Sequence, residues 1–103
     1  MRLSDVAARL SAGECVEFRP SGRSMEPLVK HRELVRLEPI GERPPERGEV
    51  VLAKVHGRYL LHLIGAVSGD RYRIENRRGR VNGWVTRGHI YGRLGRDPDR
   101  ANP

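Results

Sequence analysis

The segment SGRSMEPL, residues 21–28, contains the side chain best suited to nucleophilic chemistry. Ser24 lies between a glycine-containing turn and a Met-x-Pro sequence, which can hold a hydroxyl exposed with free backbone N–H groups beside it. A nucleophile needs this exposure, and the oxyanion that forms on attack needs such donors. The same residues also suit an ordinary Ser/Gly-rich turn before a proline. The nucleophile hypothesis therefore depends on a base that can take the hydroxyl proton.

Two basic side chains are candidates for that base. His62 lies in the apolar stretch 59–67, and a neutral imidazole with a pKa of about 6.5 can accept a proton at pH 7. A core histidine on an apolar strand is the alternative interpretation of His62. Lys54 is the competing base and precedes the predicted hairpin turn. The remaining histidines have no matching role and are expected at the surface: His31, His56 and His89.

Length and composition predict one small β-rich domain. The chain has 103 residues and a formal charge of +7, from 20 basic and 13 acidic side chains. Leu, Ile, Val and Phe make up about 24% of the chain, above the level of roughly 20% below which charged chains are usually disordered. The 12 glycines and 7 prolines are typical of a turn-rich β domain and disfavour a helical bundle or coiled coil.

Several classes of protein are disfavoured by what the sequence lacks. The single Cys15 excludes an internal disulfide framework, and no Cys/His cluster has zinc-ligand spacing, so we expect no metal and no cofactor. The longest uncharged apolar stretch is nine residues, whereas a membrane helix needs about 20. The N-terminus lacks the apolar core of a signal peptide. We therefore expect a soluble, cytoplasmic protein without a membrane span.

The periodicity predicts a short N-terminal helix followed by a β domain. Apolar residues at helical spacing indicate a helix over residues 3–12, capped by Ser4 or Asp5 and ended by Gly13. From Cys15 the period changes to two, and strands are predicted over 15–18, 34–38, 49–56, 59–67, 72–75, 84–85 and 89–94. Gly57-Arg58 is predicted as a two-residue hairpin turn. The chain thus divides into helix 1–14, β domain 15–95 and polar tail 96–103.

Four segments, in order, resemble one clan of serine peptidases. The sequence Ser24-Met-Glu-Pro is similar to the Ser-Met-x-Pro nucleophile box of type I signal peptidases and LexA/UmuD-like self-cleaving proteins. Residues 47–51 resemble the strand that follows in the clan, and residues 83–94 resemble its last strand. His62 aligns without a gap with the general base, which is Lys in the bacterial signal peptidases and His in the endoplasmic-reticulum and archaeal ones.

The resemblance implies a mainly β, partly closed fold and a soluble serine endopeptidase that cleaves a peptide or protein substrate or processes itself. It implies Ser24 as nucleophile, His62 as general base, and the backbone N–H groups of Ser24 and Met25 as the oxyanion hole. Asp70 and Asn76, with Glu75 between them, are candidates to orient the imidazole, although such residues are more often turn-formers or solvated charges.

The main alternative is a non-catalytic binding or regulatory module of the same fold that binds nucleic acid through a basic face. A dense basic stretch runs through the second half of the chain: Arg71, Arg73, Arg77, Arg78 and Arg80. Clustering of these side chains on one face would favour phosphate binding. Only five aromatic residues are present, which is a poor supply for base stacking.

Overall fold

The computed structural model describes residues 1–22 and 29–95, and the predicted tail 96–103 lies outside this range. A short helix and an antiparallel sheet follow one another along the chain: α1 Leu3–Ser11, β1 Val16–Phe18, β2 Val35–Pro39, β3 Val50–Val55, β4 Arg58–Ser68, β5 Arg71–Glu75, β6 Val81–Thr86, a 3₁₀ turn Arg87–His89 and β7 Ile90–Leu94. The described strands form one sheet in the order β1-β2-β7-β3-β4-β5-β6. The predicted mainly β class with one N-terminal helix is confirmed.

The helix packs its apolar face on the sheet, as its spacing predicts. Val6, Ala7 and Leu10 are buried, and the chain leaves the helix through Gly13 at a φ of +88°. The predicted cap is wrong, because Arg2 is the N-cap residue and no side chain caps the helix. Asp5 lies in the first turn of the helix, where its negative charge favours the helix N-terminus. Among the described residues, no helix is long and apolar enough to cross a membrane.

The β3–β4 hairpin turns one residue earlier than predicted. Val55 pairs with Arg58, so the two turn residues are His56 and Gly57 and not Gly57 and Arg58. Both have a positive φ, 49° and 79°, which is what a type I′ turn requires. His56 adopts this conformation although glycine and asparagine are the residues that usually do so.

Two cores lie on the two faces of the sheet, because side chains alternate along each strand. One core lies under α1 and includes Leu37, Leu52 and Leu61. The other consists of Val51, Ala53, Val55, Ile64, Tyr72, Ile74, Val85 and Ile90. We call the face with this second core the inner face. The sheet curls around it so far that a Cβ added to Gly83 on β6 would lie 3.0 Å from Val55 on β3.

The contact between α1 and β7 depends on the absence of a side chain at Gly92. A Cβ there would lie 2.7 Å from Leu10 Cδ1 and 2.8 Å from the Glu38 carbonyl oxygen. Because the helix or the strand must shift to admit a methyl group, we expect Gly92→Ala to lower the free energy of unfolding by about 1–3 kcal/mol in urea titrations. Gly88→Ala is the matched control, since an added Cβ meets nothing within 4 Å there. Equal stability of the two variants would contradict this account of the helix packing.

Candidate active site

Ser24 and Met25, the predicted nucleophile and second oxyanion donor, lie outside the described residues. The residues that flank them are described and are held together. The Arg32 N–H donates to the Pro20 carbonyl at 2.7 Å, and the Gly22 N–H donates to Nδ1 of His31 at 2.9 Å. The β1–β2 connection that carries Ser24 therefore begins and ends at neighbouring points of the fold.

This connection starts near the end of the sheet at which His62 lies. A row of paired residues crosses the sheet from Glu38 through Arg93 and Val51 to His62. The connection leaves the sheet at the pair formed by Phe18 and Val35. Val35 lies three residues before Glu38 on β2, so this pair is about 10 Å along the strand from the row that contains His62. The β3–β4 turn lies at the opposite end of the sheet.

His62 points to the inner face from the middle of β4. It pairs with Val51, and paired residues of antiparallel strands project to the same side, here that of the inner core. The imidazole is half-buried, and its burial lowers the pKa of His62, while a hydrogen bond with Asn82 opposes part of this effect. The side chain is therefore mostly neutral at pH 7 and can accept a proton.

Nδ1 of His62 forms a hydrogen bond with Oδ1 of Asn82, with 2.7 Å between the two atoms. An amide oxygen only accepts hydrogen bonds, so Nδ1 carries the ring proton and Nε2 keeps its lone pair. This arrangement fixes both the tautomer and the orientation of the ring. Nε2 is then the atom that can act as a base, as in catalytic triads where a third group holds the imidazole.

A β-bulge explains how Asn82 reaches His62. On β6, Val81 pairs with Glu75 and Gly83 pairs with Ile74, so Asn82 between them has no partner on β5. The extra residue of a bulge re-aims its side chain. β5 ends at Glu75, which pairs with Leu63 and lies one residue short of the His62 row. The Asn82 side chain therefore crosses to β4 beyond the end of β5.

The residues expected to orient the imidazole have other positions in the structure. Asn76 accepts hydrogen bonds from the backbone N–H groups of Arg78 and Arg80 and closes the β5–β6 turn. Asp70 lies in the β4–β5 turn, eight residues from His62, and Glu75 pairs with Arg73 at 3.2 Å. The expectation for Asp70 and Asn76 is thus corrected. The structure assigns this contact to Asn82, a residue that the sequence reasoning did not consider.

Lys54 projects from the other face of the sheet. It lies three residues after Val51 on β3 and pairs with Tyr59, whose ring centroid is 5.2 Å from the ammonium nitrogen. Because side chains alternate along a strand, this places Lys54 opposite to His62. Of the two candidate bases, only His62 lies on the inner face.

Arg93, which lies on the same row of paired residues as His62, is buried, and its positive charge is balanced by Glu49. Arg93 is 3% exposed, and its Nη1 lies 3.4 Å from Oε1 of Glu49. Its Nη2 donates to the carbonyl oxygen of Arg43. Burial lowers the pKa of Arg93 from its very high ordinary value, with Glu49 opposing this effect. The guanidinium thus stabilises the loop before β3 and is separated from His62 by one strand.

The other candidate residues are spread over the surface. His31, His56 and His89 are exposed, as expected from the sequence. The five arginines of the basic stretch follow β5 and the β5–β6 turn. Within the described ranges, no group of three or more His, Cys, Asp or Glu side chains could hold a metal ion.

Comparison with known proteins gives no match: no family model, no curated protein and no solved structure is significantly similar to this chain.

Proposed function

We propose that the chain is a small serine peptidase of the LexA and signal-peptidase clan, with Ser24 as nucleophile and His62 as general base. The observation that supports this proposal is the 2.7 Å contact between His62 Nδ1 and Asn82 Oδ1. It leaves Nε2 as the basic atom of a half-buried imidazole whose pKa is lowered by burial. The second support is the ordered resemblance of the sequence motifs, in which Ser24 occupies the position of the nucleophile.

The reaction divides into acylation and deacylation. The Ser24 hydroxyl attacks the peptide carbonyl carbon while its proton passes to His62 Nε2. The oxyanion that forms is stabilised by the backbone N–H groups of Ser24 and Met25. When the tetrahedral intermediate collapses, the imidazolium donates the proton to the leaving amine. A water molecule then attacks the ester, its proton passes to Nε2, and the same proton returns to Ser24 as the acid product leaves.

An extended peptide is the substrate that this architecture suits. β1 is the outermost strand on one side of the described sheet, and the connection that carries Ser24 follows it directly. An edge strand offers unpaired backbone groups along one side, to which a substrate chain can add as a further strand. Main-chain pairing would then align the scissile bond with the residues that follow Phe18.

The pH dependence of Ser24 reactivity tests this assignment of the base. A fluorophosphonate reports it without a known substrate, because Ser24 Oγ forms a bond to phosphorus, fluoride leaves and the hydroxyl proton passes to the base. A histidine base acts only when it is neutral, so the labelling rate should rise with pH and then level off. Since the pKa of His62 is lowered from 6.5, the midpoint of the rise should lie below pH 6.5.

The His62→Lys variant provides the comparison. A lysine base must lose its proton against a reference pKa of about 10.4, so the rise should move to higher pH. A wild-type rate that still increases above pH 8 would contradict a His62 base. An absence of labelling at every pH would favour a non-catalytic binding module of the same fold.

A further inference from the structure

A second site lies at the opposite end of the sheet from the His62 row. An open cleft of about 430 Å³ is bordered by the β3–β4 turn, the start of β5, the end of β6 and the 3₁₀ turn before β7. Its chemically distinctive lining residues are Lys54, His56, Arg71, Trp84, His89 and Tyr91. We call this site the basic cleft. His62 and Arg58, the residue that closes the β3–β4 turn, are four residues apart along β4, which separates the two sites by about 13 Å.

Two positively charged side chains, Lys54 and Arg71, line the basic cleft together with His56 and His89, and among the described residues none of its lining side chains is acidic. Lys54 lies over the ring of Tyr59, and its ammonium has no carboxylate within ion-pair distance in the described part of the chain. The same is true of Arg71. His89 is held by a 3.5 Å contact between its Nδ1 and Thr86 Oγ1. Positive groups gathered in a concave site without counter-charges favour an anionic ligand.

Aromatic side chains complete the cleft. Trp84 is the only tryptophan of the chain, and 45% of its surface is exposed although it is a large apolar residue. Tyr91, which is half-buried, also lines the cleft. An exposed indole next to cationic groups is the combination that binds a nucleobase together with its phosphate, since the base can stack on the ring. A simple inorganic anion would not need the indole.

We propose that the basic cleft binds a nucleotide unit, with the phosphate held by Lys54 and Arg71 and the base stacked on Trp84. Such a unit can come from a single-stranded nucleic acid or from a free nucleotide. This site is independent of the proposed peptidase chemistry, because it shares no residue with the Ser24, His62 and Asn82 group. Substitutions in the cleft should therefore leave the labelling of Ser24 unchanged.

Titration of tryptophan fluorescence tests the proposal, since Trp84 is the only tryptophan and stacking quenches its emission. At about 150 mM salt, we expect saturable quenching by oligothymidylate. The Lys54→Ala/Arg71→Ala double variant should weaken this binding at least about tenfold and reduce the salt slope by about 2. Arg2→Ala/Arg47→Ala is the matched control, because it removes the same charge from exposed positions outside the cleft.

Two ligand comparisons complete the experiment. Oligothymidylate that binds much more tightly than thymidine monophosphate identifies a single strand as the ligand, and equal affinities identify a free nucleotide. Either result supports the site. Heparin, a polyanion without bases, should compete but should not quench. Equal losses of affinity in both double variants, or an absence of quenching by any nucleotide, would overturn the proposal. Circular dichroism of both double variants confirms that the fold is retained.

Discussion

The His62→Ala variant should react with a fluorophosphonate about 10²–10⁴ times more slowly than the wild-type chain, which is the usual contribution of a general base. A serine hydroxyl is a weak nucleophile until a neighbour takes its proton, and His62 is the candidate base on the inner face of the sheet. Methyl in place of imidazole removes the basic atom from a half-buried position without adding volume. The rate is measured by intact-mass spectrometry of the adduct over time.

Two control variants show whether the label reports Ser24 and whether the loss of rate is specific to His62. Ser24→Ala should give no adduct at the peptide that contains residue 24, which shows that the label reports this hydroxyl. Lys54→Ala should react close to the wild-type rate, because its side chain lies on the opposite face and contacts Tyr59. A Lys54→Ala chain that is inactive while His62→Ala stays reactive would show that lysine is the base.

Loss of the Asn82 hydrogen bond should produce the second large effect. We expect Asn82→Leu to slow labelling at least about fivefold, since one hydrogen bond is worth about 1 kcal/mol and 1.4 kcal/mol is a factor of ten. The upper limit is the factor of about 10⁴ that a wrong histidine tautomer costs in serine protease triads. Because the Asn82 hydrogen bond raises the pKa of His62 against the effect of burial, its loss should also move the acid limb of the rate to lower pH.

Asn82→Asp separates positioning from a merely structural role. A carboxylate beside the imidazole favours its charged form, so the limb should move to higher pH, opposite to the Leu variant. Thr86→Ala on the same strand is the control and should leave the profile in place. If the acid limbs of the pH–rate profiles coincide in all three variants, Asn82 is not the residue that positions His62.

Most of the fold follows from period-two patterning in the sequence. The stretches 49–56 and 59–67 are instead largely apolar runs on either side of a short turn, and the structure pairs them as β3 and β4 with the turn moved by one residue. The sequence predicts β6 only for residues 84–85, since Gly83 interrupts the alternation, whereas the strand spans Val81–Thr86 and Val81 at its start is exposed. A glycine inside a strand is itself a signal of a bulge, and in this chain it stands next to Asn82.

The contact between His62 and Asn82 is harder to predict from sequence. The two residues are 20 positions apart and lie on strands separated by β5. Their contact depends on where β5 ends and on one extra residue in β6, and neither feature changes the hydrophobic pattern. Proximity along the chain instead suggested Asp70 and Asn76, which the structure places in turns. The basic cleft was also missed, because His56, Arg71 and His89 converge only after the sheet curls.

The most direct test of the proposed dyad is the distance between Ser24 Oγ and His62 Nε2 in a crystal structure of the intact chain. The proposed mechanism predicts a separation of about 2.6–3.2 Å, the range within which a base can take a proton directly. His62 Nδ1 should at the same time retain its hydrogen bond to Asn82. A separation that no change of the Ser24 rotamer can close would contradict the dyad and would identify the chain as a non-catalytic member of the same fold.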